Sequence, residues 1–343
     1  MNFERLYSKL PEFIKYNNFI LNSSINVSKR LKSNNKSNSA RSQSQLFELI
    51  FLHSNFEVTG TLRNIQLLYV ELLRFVDNIC KKYDIDYWID YGTLIGAVRH
   101  DGFIPWDDDV DLSIMRKDYE KLIEVLPKEI SKYNYLKQEC GLTLLRENHE
   151  NYFSDFNSVY DFEDEKNLLD EYRFLFLQFA WLKPYVKIDF FPKDYILDDK
   201  LEDFKKDYLS TKYKFNQDIK NGKKVFDDEI KVQNEKIGFT NNETSFFHDA
   251  LDCLELSPIW IYETDKMFPL DTINFEGYDF KCPKDIDHCI SVVFGENYMH
   301  LPENIETHNL IDFISTQFKS KEEMDEKFKK DIEYLRKIND EFE

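Results

Sequence analysis

The sequence predicts a mixed α/β domain, and three observations carry that reading. Apolar residues recur at 62, 65, 69, 72, 76, 79, 80 and 83, the period of an amphipathic helix. Val110, Leu112 and Ile114 alternate with Asp109, Asp111 and Ser113, the period of a half-buried strand. Val186, Ile188 and Phe190 alternate with Lys187 and Asp189 in the same way. At 343 residues the chain exceeds the usual span of one core, so one large domain with additions, or two subdomains about a cleft, is expected. Thirty Phe and twenty Tyr supply ample material for that core.

The elements follow in order. Residues 1–58 read as a basic, polar arm, with short helical patterns broken at Pro11 and a low-complexity linker at 33–45 (SNNKSNSARSQSQ). The apolar run at 46–52 suits docking on a domain that starts near Thr59 and extends to about residue 310. After the long helix, Tyr87 to Tyr91 reads as a strand ended by Gly92, and Thr93 to Arg99 as a short helix. The strand at 110–114 leads to a helix opening at Asp118 and stopped by Pro127, and the strand at 186–190 closes at Pro192. Residues 198–236 are charged and helical in pattern, an insert expected as a lid or peripheral element. Ile273 to Cys282 reads as a hairpin turning at Glu276-Gly277, followed by a helix beginning near Pro283 and ending at Gly295. Within 311–343, apolar residues at 324, 328, 332, 335, 338 and 342 mark a C-terminal amphipathic helix packed on the body or on a partner.

Charge narrows the function classes. The net charge of −19 argues against general nucleic-acid binding. Residues 1–45 carry eight Lys/Arg against two Glu, a surplus of six, which leaves −25 on the remainder. This arm suits a solvated tail, with peripheral contact to an anionic membrane or glycan as the functional alternative. No signal-peptide pattern and no membrane-spanning run is present, since the best apolar stretch, Phe174 to Leu182, has nine residues. Five scattered cysteines read as reduced thiols. A cytoplasmic protein, at most at the inner face of the membrane, is expected.

The chemistry concentrates in YWIDYGTLIGAVRHDGFIPWDDDVDL, residues 87–112. Asp109 and Asp111 are two apart on a strand, so they share a face about 7 Å apart while Val110 and Leu112 enter the core. Adjacent carboxylates repel unless a cation lies between them, and an oxygen-only set favours Mg²⁺ or Mn²⁺. Asp189, on a strand of the same pattern, is the third candidate, as metal ligand or as general base. Gly92 allows a phosphate to approach the backbone, Thr93 lies at a helix N-terminus suited to an anion, and Arg99 can reach phosphate oxygens. Asp109, Asp111 and Asp189 are therefore the predicted catalytic and metal-binding residues, with Gly92, Thr93 and Arg99 binding the donor phosphate. A calcium loop fits less well: started at Asp107, it has Leu112 where Gly is needed and Asp118 where Glu is expected. Cys282, His288, Cys289, His300 and His308 match no tight zinc spacing, and His308 reads as an ordinary loop histidine.

The same residues resemble the LicD family of nucleotidyltransferase-fold proteins, which includes fukutin and the fukutin-related protein. The resemblance runs through residues 87–112, continues in VKIDFFPKDYI (186–196) and ends in 268–308, so it covers roughly residues 61–308. It implies a nucleotidyltransferase-like α/β core with a small mixed sheet, flanking helices and a helical C-terminal part. It also implies metal-dependent transfer of a phosphorylated alcohol, by default phosphocholine, from a CDP-activated donor to a sugar hydroxyl of a cell-surface glycan such as lipopolysaccharide or teichoic acid, with release of CMP. CDP-choline or CDP-ribitol is then the donor type. The family's acidic pair falls on Asp109 and Asp111, its further acidic position on Asp189, and Asp107 is a supporting aspartate. Two alternatives stay open at this point: nucleotidyl transfer to a sugar or other small acceptor, and a non-catalytic calcium- or glycan-binding protein.

Overall fold

The computed structural model describes residues 58–147, 174–179, 187–221, 223, 227–251, 259–300, 314 and 318–342. The arm at 1–45, the 46–52 run, Cys253 and His308 lie outside the described residues. Helix α1 spans Thr61–Tyr83, in agreement with its apolar period, and Asp84 closes it in the left-handed conformation. Strand β1 (Tyr87–Ile89) is followed by α2 (Tyr91–His100), β2 (Val110–Met115) and α3 (Arg116–Ile130). Strands β3 (Thr143–Glu147), β4 (Phe174–Gln178) and β5 (Lys187–Ile196) come next. Helices α4 (Leu201–Lys220) and α5 (Asp227–Ile237) form the charged insert. Short strands β6 (Phe239–Thr240), β7 (Phe246–Asp249) and β8 (Tyr262–Glu263) precede α6 (Thr264–Met267). The hairpin β9 (Asp271–Phe275) and β10 (Tyr278–Cys282), then α7 (Ile286–Phe294) and α8 (Lys321–Asp340), complete the order.

Among the described residues eight strands form one mixed sheet, with central order β1-β2-β5-β4-β3. The β2–β5 pair is parallel, and its other neighbours are antiparallel. Even-numbered residues of both strands enter the main core: Val110, Leu112, Ile114, Ile188 and Phe190 pack with Ile65, Leu68, Tyr119 and Leu122 from α1 and α3. The odd-numbered residues face the other way, so Asp111, Ser113, Asp189, Phe191 and Lys193 share one face. Helix α8 buries Met324, Phe328, Ile332, Leu335 and Ile338 and lies along α1, where Asn339 donates to the Glu71 carbonyl at 2.8 Å. The insert packs through a smaller cluster in which Phe204, Tyr208, Phe215 and Ile230 meet Ile196 of β5, Phe239 of β6 and Leu251. Among the described residues no helix is long and apolar enough to cross a membrane.

Three sequence expectations need correction. Pro192 does not close β5, which runs on to Ile196. The edge neighbour changes there from β4, last paired at Phe190, to β7, first paired at Lys193. Pro192 accepts Ala250 N–H at 2.9 Å, and its missing N–H falls at that changeover, where no ladder partner is lost. Pro127 does not stop α3, because Leu126 and Ile130 are both buried and hold the last turn on the core. The first strand ends at Ile89 rather than Tyr91: Asp90 caps α2, so Gly92 stands inside the first helical turn. The hairpin is as expected, with Glu276 (φ 54°) and Gly277 (φ 87°) both left-handed, as a tight two-residue turn requires.

Candidate active site

The parallel register sets Asp111 directly opposite Asp189, one strand spacing or about 4.8 Å away. Asp109 stands just before β2, and Asp107 and Asp108 precede it in the loop from α2. Lys187, two residues before Asp189 on the same face, places Nζ 3.0 Å from its Oδ1. Burial pushes the Asp111 carboxyl well above the usual carboxylate range, and Asp109, Asp189, Asp107 and Asp90 push it further. Asp107 is raised in the same way, first by burial and then by Asp109. The acids therefore form one electrostatic group. Oδ2 of Asp107 is buried without a hydrogen-bond partner, and a Cβ on Gly92 would come within 3.2 Å of it. A side chain at position 92 would crowd that oxygen, so glycine keeps the space beside the carboxylate open.

The aspartate loop is clamped from two sides. Gln66 of α1 donates to the Asp107 carbonyl at 3.0 Å. Glu276, at the hairpin turn, accepts from both guanidinium nitrogens of Arg63 (2.9 and 2.7 Å) and from Phe103 N–H at 3.3 Å. Its own N–H donates to the Asp101 carbonyl at 3.0 Å. Gly96 of α2 meets the same loop so closely that a Cβ there would lie 2.5 Å from the Gly102 carbonyl oxygen.

The start of α2 is equally constrained. Asp90 accepts from Tyr91 N–H at 2.8 Å and from Ser113 Oγ at 2.6 Å, and its own N–H donates to the Asp111 carbonyl at 3.0 Å. The first N–H to bond back along the helix is that of Leu94, so those of Gly92 and Thr93 lie in the turn where no intrahelical acceptor exists. Thr93 is buried, and its hydroxyl accepts from Asp111 N–H at 2.9 Å. Its side chain thus ties the helix start to the Asp111 backbone, and the anion-facing groups of this turn are backbone N–H groups. Arg99, at the far end of α2, donates through Nη1 to the carbonyls of Tyr298 (3.1 Å) and His300 (3.3 Å). Burial lowers its pKa and Asp107 opposes that shift, so the guanidinium is in electrostatic reach of the aspartate loop. These bonds hold the Tyr298–His300 segment rather than reach onto the carboxylate face.

A fully buried lysine lies behind this turn. Lys193 Nζ pairs closely with Asp249, donates to Tyr91 Oη at 2.9 Å and lies 3.7 Å from Asp90. Lys193 holds the Asp249 carboxyl below its usual range against the opposing effect of burial. Sequence reasoning missed Lys193, Asp249, Asp90, Gln66 and Glu276. Two of them left a signal: Lys193 continues the 187-189-191 alternation, and Asp90 precedes a helix as a capping residue does. Asp249, Gln66 and Glu276 reach the site only through long-range packing. Of the histidine and cysteine candidates, His308 lies outside the described residues, and Cys289 packs with Trp88, Met115 and Tyr262. Among the described residues no three His, Cys, Asp or Glu side chains form a ready-made metal centre.

A mixed sheet whose parallel central pair presents facing aspartates beside a capped helix N-terminus defines a nucleotidyltransferase-type domain. The profile described as LicD/FKTN/FKRP, nucleotidyltransferase domain, matches residues 84–285, more than half of the chain, and the chain belongs to the LicD family. Over 65 residues it is 46% identical to the lipopolysaccharide cholinephosphotransferase LicD of Haemophilus influenzae, covering 19% of this chain and 24% of that protein. Over 58 residues it is 47% identical to an uncharacterised protein of Rickettsia prowazekii, covering 17% and 22%. Over 48 residues it is 44% identical to the ribitol 5-phosphate transferase FKRP of Homo sapiens, covering 14% and 10%. The chain thus matches less than a quarter of the length of each of these relatives.

Proposed function

We propose that this chain transfers a phosphorylated alcohol, by default phosphocholine, from a CDP-activated donor to a sugar hydroxyl of a cell-surface glycan, releasing CMP. The observation that carries the reading is the opposition of Asp111 and Asp189 beside the first turn of α2 at Gly92–Thr93. Membership of the LicD family supports it. So do the names of two relatives, a cholinephosphotransferase and a ribitol 5-phosphate transferase, which both denote movement of a phosphorylated alcohol.

The residues fit Mg²⁺ or Mn²⁺: the donors are all oxygens, and one buried Asp107 oxygen lacks a partner. Asp109 and Asp111 would hold the ion, with Asp189 either as a third ligand or as the general base. When bound, the ion supplies charge neutralisation for the diphosphate and the departing CMP.

The chain's own groups do the rest. The Gly92 and Thr93 N–H groups receive phosphate oxygens at the positive end of α2. Thr93 and Asp90 hold the Asp111 backbone in place. Arg99 contributes positive potential from the far end of the helix. The sugar hydroxyl oxygen bonds to the distal phosphorus, the bond from that phosphorus to CMP breaks, and CMP leaves with the electron pair. Asp189 takes the hydroxyl proton, oriented by Lys187. The basic arm at 1–45 brings the enzyme to an anionic surface.

The test is incubation with CDP-choline, CDP-ribitol and CTP in the presence of Mg²⁺, followed by chromatography of the nucleotide products. CMP from a CDP-alcohol, abolished by Asp109→Asn in a folded protein, is the expected result. Pyrophosphate from CTP without CMP from any CDP-alcohol would make the protein a nucleotidyltransferase instead. Full activity of Asp109→Asn would remove the carboxylate pair from the mechanism.

A further inference from the structure

We propose that Tyr91, Phe191 and Trp260 form a head-group subsite that selects an organic cation, the quaternary ammonium of a choline-type donor. The inference rests on the reading above and adds the residues that choose the alcohol. The three rings are in contact. Tyr91 meets Phe191 with centroids 4.9 Å apart at 64°, and Trp260 at 5.7 Å and 56°. All three are half-buried, and their planes turn through large angles, so they line an angled wall rather than a parallel stack.

The wall borders both halves of the proposed site. Phe191 follows Asp189 by two residues on the same face of β5, opposite Ser113. Tyr91 stands between the capping Asp90 and Gly92. The rings therefore sit beside both Asp189 and the Gly92–Thr93 turn in the fold. Tyr91 is also held at φ 45°, a conformation that bulky side chains rarely adopt, and it is the first residue of the helix that carries the turn. Strain of this kind concentrates where a side chain is needed in one place.

The polar groups beneath the rings bear on the ligand. Tyr91 Oη accepts from Lys193 and donates to Asp249 at 3.1 Å. Asp90 and Asp249 flank Lys193, and Lys212 also acts on Asp249, so buried carboxylates and ammonium groups are matched in number. Lys193 Nζ is 2.9 Å from the Tyr91 hydroxyl and 4.9 Å from the ring centroid, which puts it at the hydroxyl rim and not over the ring face. A quaternary ammonium makes no hydrogen bonds and is recognised by aromatic faces, which is what this corner offers. A polyol needs hydrogen-bonding partners, and the phenol of Tyr91 is already engaged.

Calorimetry in Mg²⁺ with CDP-choline, CDP-ethanolamine, CDP-ribitol and CMP tests the subsite. The wild type is expected to bind CDP-choline most tightly. Trp260→Leu should raise its Kd about tenfold, one ring's share of a cation–π contact, with CMP affinity retained. Trp260→Phe, which keeps a ring, should recover most of the loss, and Phe191→Leu should act in the same direction as Trp260→Leu. Thermal unfolding shows that each variant is folded. Equal weakening of CMP and CDP-choline by Trp260→Leu would assign the rings to the base and overturn the proposal. So would a wild type that binds CDP-ribitol as tightly as CDP-choline, with neither affected by Trp260→Leu. In both cases phosphoalcohol transfer itself survives. Failure of every CDP-alcohol and of CMP to bind would overturn transfer and subsite together.

Discussion

Gly96→Ala tests whether the aspartate loop is positioned by direct contact with α2. Two effects of opposite sign compete at this position. Alanine in a helix interior is favoured over glycine by about 1 kcal/mol, so the substitution alone should stabilise α2. The new Cβ, however, would lie 2.5 Å from the Gly102 carbonyl oxygen and 3.2 Å from Ile104 N, both backbone atoms. The loop has little freedom to yield, because Glu276, Arg63 and Gln66 hold it on the opposite side. A 2.5 Å approach to backbone belongs at the upper end of overpacking costs, about 2–3 kcal/mol, so the contact outweighs the propensity gain and a net loss of about 1–2 kcal/mol is expected. In a domain of this size that lowers Tm by about 3–6 °C. The same displacement moves Asp107 to Asp109, and a shift approaching 1 Å costs about 10- to 100-fold in turnover. Thermal unfolding and CMP release from CDP-choline read the two effects. A variant with unchanged or raised Tm and full CMP release would refute the close approach of helix and loop, because propensity would then be the only term acting.

Lys193→Met leaves Asp90 and Asp249 buried without their cation and should destabilise the protein by about 3–5 kcal/mol. Lys193→Met combined with Asp249→Leu should recover much of that loss, and equal melting of the single and double variants would show that the pair is not coupled. His248 is fully buried between Tyr208 and Phe204, and burial lowers its pKa to about 3, with Lys193 and Lys212 lowering it and Asp249 opposing them. Below pH 6.5 the unfolded chain takes up a proton that the folded imidazole refuses, so stability falls by about 1.4 kcal/mol per pH unit between 6.5 and 3. His248→Phe should narrow the difference in urea midpoint between pH 7 and pH 5, and an unchanged difference would assign acid sensitivity to other groups. Deleting residues 1–45 should leave CMP release on a small soluble acceptor intact and weaken binding to anionic vesicles, most clearly at low salt, where the arm's charges are least screened. Loss of turnover on the small acceptor would make the arm part of the active site.

The local elements were legible because each has a period of its own. The stripe from Leu62 to Tyr83 and the alternations around Asp111 and Asp189 state which face of each element is buried, so the two aspartates could be assigned to the outer face before any fold was known. Family membership was legible for a related reason: residues 87–112 compress a strand, a capped helix and the acidic loop into one continuous stretch. The prolines misled because local rules assume an unbroken environment. Pro192 is tolerated where one sheet neighbour gives way to another, and Pro127 where the core holds the turn beyond it. Neither circumstance is written in adjacent residues. Thr93 and Arg99 show the same limit in the site itself, since only packing decided that the hydroxyl would hold Asp111 N–H and that the guanidinium would hold the carbonyls of Tyr298 and His300. The strand register, the clamp from Gln66 and Glu276, and the burial of Lys193 between Asp90 and Asp249 join residues up to 213 positions apart. Periodicity determined which residues share a face. Which faces meet, and what charge each buried group then finds beside it, was decided by tertiary structure, because Coulombic and steric contacts depend on distance in space and not along the chain.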